Sequence, residues 1–212
     1  MRELSRVDRH LARIIRKVGS FPTKKQKPQP PFESLLRAIV YQQLAGKAAA
    51  TIFGRVKALG LDGRCPTPEE ILRATKAKLR RAGLSRQKIA AVKDLDRKTI
   101  DGTVPPLATI RRMSEEEILE RLTQVRGIGE WSVQMFLMFQ LGRPDVLPIH
   151  DYGIRKGFQY VYGLEDEPKP QAVLEYGERW RPYRSIASWY LWRAVEERNA
   201  KKSASKKSKK GQ

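Results

Sequence analysis

The sequence predicts an all-α fold. Three observations carry that reading. Apolar residues recur at three- and four-residue spacing in one segment after another, helix-capping signals punctuate the chain, and no stretch alternates polar and apolar residues with a sustained period of two. At 212 residues the chain is long enough for one domain or two compact lobes, and for a real core.

The elements follow in order. Residues 3–18 read as one helix, with Leu4, Val7, Leu11, Ile14, Ile15 and Val18 on its apolar face. His10 sits there among charged neighbours and is expected to be exposed. Residues 24–31 are basic and proline-rich, an extended linker. Phe32, Leu35, Leu36, Ile39 and Val40 form the stripe of the next helix, which ends near Gln42 and Gln43. Amides at a helix end beside small residues suit either a capping role or close approach to another surface. An alanine-rich helix runs from 47 to about 60. Thr67-Pro68-Glu69-Glu70 is a helix start, with an N-cap threonine, proline at the first position and early acids. Residues 76–82 make a short helix closed by Gly83, and Ser85 caps a longer one over 86–100. Ser114 and Glu117 form a capping box for the helix that follows.

That helix feeds Val125-Arg126-Gly127-Ile128-Gly129, which breaks it. Two glycines around one apolar residue suit a tight hairpin, because glycine takes positive φ without steric cost. A second helix resumes at Glu130 and ends near Gly142. The hairpin amides and that helix's N-terminus can hold an anion such as a phosphate. Asp151 then precedes a helix to about Tyr162, Pro170 starts one through Trp180, and 185–198 form a last helix. Residues 201–212 are lysine, serine and little else, with nothing to bury, and are expected to be disordered.

The net charge is +20 and the pI near 10.3. Six of those charges lie in the last twelve residues, which leaves +14 on the body, so the excess is not only a tail. This balance favours a polyanionic partner, nucleic acid ahead of an anionic membrane surface; the competing reading is a basic surface kept for solubility. One cysteine, Cys65, excludes an internal disulfide and a four-cysteine iron–sulfur cluster. No apolar run approaches the roughly 18 residues needed to span a bilayer, and no signal peptide is seen. The expectation is a soluble intracellular protein: cytoplasmic and nucleoid-associated in a bacterium or archaeon, nuclear in a eukaryote.

The hairpin, Trp131, the Leu147-Pro148-Ile149-His150-Asp151-Tyr152 run and the 22-residue step from Gly129 to Asp151 together resemble the helix-hairpin-helix DNA glycosylase superfamily. Residues 32–50 resemble its alkylpurine glycosylases of the 3-methyladenine DNA glycosylase II type, and Trp180 to Ala187 match a further pattern of that group. The resemblance spans about residues 32–193. It implies a two-lobed helical fold over 1–200 with a DNA-binding cleft between lobes, one lobe from about 32–142 and the other from about 1–20 plus 147–200. It implies a base excision repair enzyme that flips alkylated purines, of the 3-methyladenine and 7-methylguanine kind, out of double-stranded DNA. Asp151 would stabilise the oxocarbenium-like transition state and orient water. On residues alone Asp151 is equally an N-cap.

By the same resemblance, Arg126, Gly127, Ile128, Gly129, Glu130, Trp131 and Ser132 grip the DNA backbone, and Gln43 with Leu44 fills the gap left by the flipped base. Trp131, Met135, Trp192, Gln42 and Tyr152 line the base pocket, where electron-rich rings attract a cationic purine by stacking and cation–π contact, worth about 0.5–2 kcal/mol each. Core packing is the competing reading for both tryptophans. Bifunctional members place a nucleophilic lysine two residues past the second hairpin glycine; here that position is Trp131, which implies hydrolysis by water and no lyase activity. No cofactor is implied beyond a structural Na⁺ or K⁺ on the carbonyls of Thr123, Val125 and Gly127. A monomer is the default for such an enzyme. The competing functions are a non-catalytic helix-hairpin-helix DNA-binding protein and a glycosylase for another lesion.

Overall fold

A computed structural model describes residues 1–22 and 29–208. The expected linker at 24–31 falls largely outside them. Among the described residues the chain is helical, with no strand. In order, the helices are α1 (Arg2–Val7), α2 (Arg9–Val18), α3 (Pro31–Tyr41), α4 (Gly46–Lys57), α5 (Pro68–Arg73), α6 (Lys76–Arg81), α7 (Arg86–Ile100), α8 (Leu107–Ile110), α9 (Glu115–Thr123), α10 (Glu130–Phe136), α11 (Tyr152–Tyr162), α12 (Pro170–Gly177) and α13 (Arg184–Ser208). No helix among the described residues is long and apolar enough to cross a membrane. The chain divides into two compact units, Gln26–Leu141 and a split unit of Met1–Lys25 with Gly142–Gln212.

The continuous unit is built around α7, against which α3, α5 and α6 pack. Its buried side chains include Leu36, Ile39 and Val40 from α3, Ile71 from α5, Val92 and Leu95 from α7, and Leu122 and Val133 from the hairpin helices. The capping signals read from sequence are all in use. Thr67 and Glu70 form a capping box, Ser85 accepts from the Lys88 amide, and Ser114 with Glu117 forms a second box. The helix after the hairpin departs from expectation: α10 passes at Leu137 into a π-helical turn that ends at Leu141.

Lysines of α7 donate to carbonyls at the C-terminal ends of neighbouring helices. Lys88 Nζ donates to the carbonyls of Val40 and Gln42 at 2.7 and 2.9 Å, closing α3. Lys93 Nζ donates to those of Ile71, Leu72 and Ala74 at 2.5–2.7 Å, closing α5. Lys98 Nζ reaches the Gln124 carbonyl at 2.5 Å, at the end of α9. Burial pushes the Lys88 and Lys93 ammonium pKa values down.

The split unit has its own core of Leu4, Leu11, Ile15, Ile154, Phe158, Val173, Trp180, Tyr190 and Leu191. The first helix expected over 3–18 is broken at Asp8, which is extended (φ −144°, ψ 101°) and 3% exposed. Its carboxylate accepts the amides of His10 and Leu11 at 3.0 and 2.9 Å, the Tyr162 hydroxyl at 2.5 Å and the Trp180 indole N–H at 2.9 Å. Those four donors outweigh one more turn of helix. His10 is half-buried rather than exposed, its ring 5.3 Å from that of Tyr162. The last helix runs to Ser208, which corrects the disordered tail expected from Lys201; alanine and lysine are good helix formers, and Ser203 bonds back to the Asn199 carbonyl. Residues 209–212 of that tail lie outside the described residues.

Asp96 on α7 is fully buried, and neither carboxylate oxygen has a hydrogen-bond partner. Desolvation, opposed by Lys93 and Arg97 and aided by Glu69, pushes its pKa up to about 8. The folded state therefore keeps a proton that the unfolded chain loses above about pH 4. Its contribution to stability is fully present below pH 4 and is lost as pH rises towards 8. Asp96→Asn removes that loss. Urea unfolding should show the variant gaining on wild type by on the order of a few kcal/mol between pH 4 and 8, at most about 1.4 kcal/mol per pH unit. Parallel pH profiles would contradict a protonated Asp96.

Candidate functional site

In the continuous unit, the hairpin hangs on two buried residues, Val125 and Ile128, the Ile128 amide donating to the Val125 carbonyl at 3.0 Å. Arg126, Gly127 and Gly129 between and beside them face solvent. Only one glycine uses its freedom: Gly127 is left-handed at φ +81°, whereas Gly129 is at φ −99°, open to any residue. A Cβ on Gly129 would meet nothing within 4 Å. Helix α10 begins at Gly129 with no side-chain cap, so its first-turn amides present partial positive charge at the hairpin. Glu130 and Ser132 stand in that first turn.

The hairpin is pinned from below by α7. Asp94 accepts the Arg126 amide at 2.8 Å, Lys98 holds Gln124, and Ala91 lies under Gly127, 3.5 Å from where a Cβ would be. Gln42 ties the hairpin to the end of α3, its amide nitrogen donating to the Gly127 carbonyl at 2.7 Å. Of the three carbonyls expected to hold a cation, Val125 accepts from Ile128 and Gly127 from Gln42, and a carbonyl keeps a second lone pair beside one donor. The Thr123 carbonyl ends α9, at the partially negative end of a helix. Neutral carbonyl oxygens are the kind of donor that a monovalent cation takes.

The turn after α3 is strained. Gln43, at φ +56°, is the one non-glycine residue with positive φ among the described residues. Leu44 beside it is apolar yet 39% exposed. Trp131 is 52% exposed, which removes the core-packing reading for it, and Met135 one turn on is half-buried.

The remaining candidates belong to the split unit. Asp151 is the N-cap of α11, its Oδ1 accepting the Ile154 amide at 2.7 Å and the Trp192 indole N–H at 2.8 Å. Two donors converging from different elements fix the carboxyl orientation. Trp192, on α13, is half-buried. Tyr152 is 65% exposed, with the Lys156 ammonium 5.6 Å from its ring, and His150 is exposed.

Sequence reasoning missed what brings Trp192 to Asp151. A Cβ on Gly153 would lie 2.8–2.9 Å from the Trp192 indole and 3.0 Å from Asp151 Oδ1. One on Gly157, a turn later, would lie 2.4 Å from the Leu191 carbonyl oxygen. These glycines allow α13 to press against α11. The signal was a pair of helical glycines four apart on the face that carries Ile154 and Phe158. Asp94, Lys88 and Lys98 gave no signal, because charged residues on a long helix ordinarily face water.

Comparison with known proteins gives the chain's family. Residues 36–182 match the family described as HhH-GPD superfamily base excision DNA repair protein. The chain is 41% identical to DNA-3-methyladenine glycosylase 1 of Schizosaccharomyces pombe over 191 residues, covering 90% of this chain and 84% of that protein. The structure of S. pombe 3-methyladenine DNA glycosylase (Mag1) in complex with abasic DNA superposes with a TM-score of 0.80 at 40% identity, over 90% of this chain and 93% of that one. DNA-3-methyladenine glycosidase from Bacillus halodurans superposes with a TM-score of 0.80 at 33% identity, over 91% and 86%.

The two hairpin glycines should separate on substitution. Gly127→Ala forces a left-handed alanine, costing about 1–2 kcal/mol of stability in thermal melts. On the expectation that the hairpin grips a phosphate, Gly129→Ala should melt as wild type yet bind every duplex sequence more weakly. Unchanged binding by Gly129→Ala, or a loss confined to some sequences, would contradict backbone contact.

Proposed function

We propose that this chain, which belongs to the HhH-GPD superfamily of base excision DNA repair proteins, is a monofunctional DNA glycosylase that releases alkylated purines of the 3-methyladenine and 7-methylguanine kind from double-stranded DNA. The observation that carries the catalytic part is Asp151, its carboxylate held by the Ile154 amide and the Trp192 indole.

Breaking the bond between C1′ and the purine nitrogen leaves electron deficiency on the sugar. A carboxylate fixed in orientation beforehand stabilises that charge without reorganising when it develops. Asp151 then accepts a proton from the water that adds to C1′, and the bond's electron pair leaves with the base. An alkylated purine already carries positive charge, so it departs as a neutral base and needs no strong general acid. Trp131 offers an exposed ring face that can stack on such a cation.

The hairpin amides and the α10 N-terminus grip a backbone phosphate, which fixes register without reading sequence. The strained Gln43 turn presents Leu44 as an apolar wedge for the gap left in the stack. Thr123, Val125 and Gly127 would hold a Na⁺ or K⁺ through their carbonyls, and a bound cation supplies charge opposite a phosphate. Trp131 occupies the position of the nucleophilic lysine of bifunctional members, so no Schiff base forms and the product is an intact strand with an abasic site.

The test is incubation of the purified chain with methylated DNA. It should release free 3-methyladenine and 7-methylguanine, with strand breaks appearing only after alkali. Breaks without alkali would mean that a lysine acts as nucleophile. Tight, salt-sensitive binding with no base released would turn the reading to another lesion or to a non-catalytic binding protein.

A further inference from the structure

The continuous unit carries a second basic feature beside the hairpin. A groove of about 780 Å³ opens along α7 and α6, rimmed by Lys76, Arg80, Arg86, Arg97 and Arg126. Its only carboxylate is Asp94, already committed to the Arg126 amide at 2.8 Å and to Arg97 and Lys98 at 4.0 and 3.8 Å. Lys93 also lines the groove, but its ammonium is spent on three carbonyls of α5 and the turn after it. The apolar part of its lining is Leu72, Ala77, Ile89 and Ala90. Like charges gathered in a concavity repel one another and focus a field that an anion relieves.

We propose that this groove holds the sugar–phosphate backbone of the duplex where it continues past the hairpin, extending the footprint on DNA beyond the lesion. The inference rests on the DNA-acting reading above. Continuity favours it: Arg126 is a hairpin residue, and its amide is pinned to the α7 face that forms the groove wall. Dimensions favour it as well. From Arg86 to Arg97 the helix rises about 16 Å at about 1.5 Å per residue, the axial length of about five phosphates of one strand at about 3.4 Å each. The small side chains of Ala77 and Ala90 in the lining let a backbone approach closely.

The full chain is tested with Lys76, Arg80 and Arg86 all changed to Gln. Binding is measured against salt on two duplexes carrying a stable abasic-site analogue, one of about one helical turn and one of about three turns. On the long duplex the slope of log K against log[salt] should fall by about 2–3, at about 0.9 per phosphate, with affinity down about 10- to 100-fold at low salt. On the short duplex, affinity should match wild type, and so should release of methylated base from a short methylated duplex. Arg86→Gln alone, at the exposed start of α7, should lower the long-duplex slope by about 0.9 and guards against misfolding of the triple variant.

An unchanged slope on the long duplex, or an equal loss on both lengths, overturns the groove as an extension of the footprint. A polyglutamate peptide displaced from wild type but not bound by the variant, with the DNA slope unchanged, would assign the groove to an acidic protein and also overturn it. If wild type releases no methylated base while the slope difference persists, the glycosylase reading fails and the groove stands.

Discussion

One helix sets the geometry of the continuous unit. Lys88, Lys93 and Lys98 lie five residues apart on α7, so their side chains leave the helix in three directions, and each closes the carbonyl end of a different neighbour. A hydrogen bond to a charged donor contributes about 1.5–3 kcal/mol, and the pairing of cation with helix C-terminus adds to it. The turn after α3 and the hairpin after α9 are thus fastened to one rigid rod. Asp94, also on α7, fixes the hairpin a second time through the Arg126 amide, and Gln42 joins turn to hairpin directly. A strained Gln43 and a left-handed Gly127 persist because the surroundings over-determine them.

The split unit uses one device twice, to different ends. Asp8 and Asp151 are both helix N-caps, and both accept an indole N–H from the C-terminal part of the chain, Trp180 and Trp192. Asp8 is sealed in the core, with the Tyr162 hydroxyl as a further donor, and serves only to join α2 to the rest. The phenol is correspondingly pushed up in pKa, by burial first and by Asp8 second. Asp151 is only partly buried, and Gly153 keeps Cβ atoms away from its contact with Trp192. The same chemistry that makes Asp8 structural leaves Asp151 oriented and within reach of solvent. An N-cap role and a catalytic role for Asp151 are therefore compatible, since the cap supplies the orientation that the chemistry needs.

Much of this was legible in the sequence because it is local. Thr67, Ser85 and Ser114 announce their helices, and each bond they make lies within three residues. The hairpin and its distance to Asp151 were legible as spacing. What escaped was tertiary. The apolar period over residues 3–18 runs straight across Asp8, and only the remote partners Tyr162 and Trp180 explain the break. Only Gly127 of the two hairpin glycines needs its left-handed φ, which spacing alone does not distinguish. Gly153 and Gly157 look neutral until α13 is placed against them. The α7 lysines look like a solvated face until the helix ends that they close are in view.

The most direct measurement is single-turnover excision of 7-methylguanine by Asp151→Asn. Asparagine is as good an N-cap as aspartate and close to it in shape, so α11 and the fold survive the change. Excision should fall by at least about 100-fold while affinity for abasic DNA stays at the wild-type value. Turnover near the wild-type rate, or a loss of DNA binding equal to the loss of excision, would contradict a catalytic Asp151.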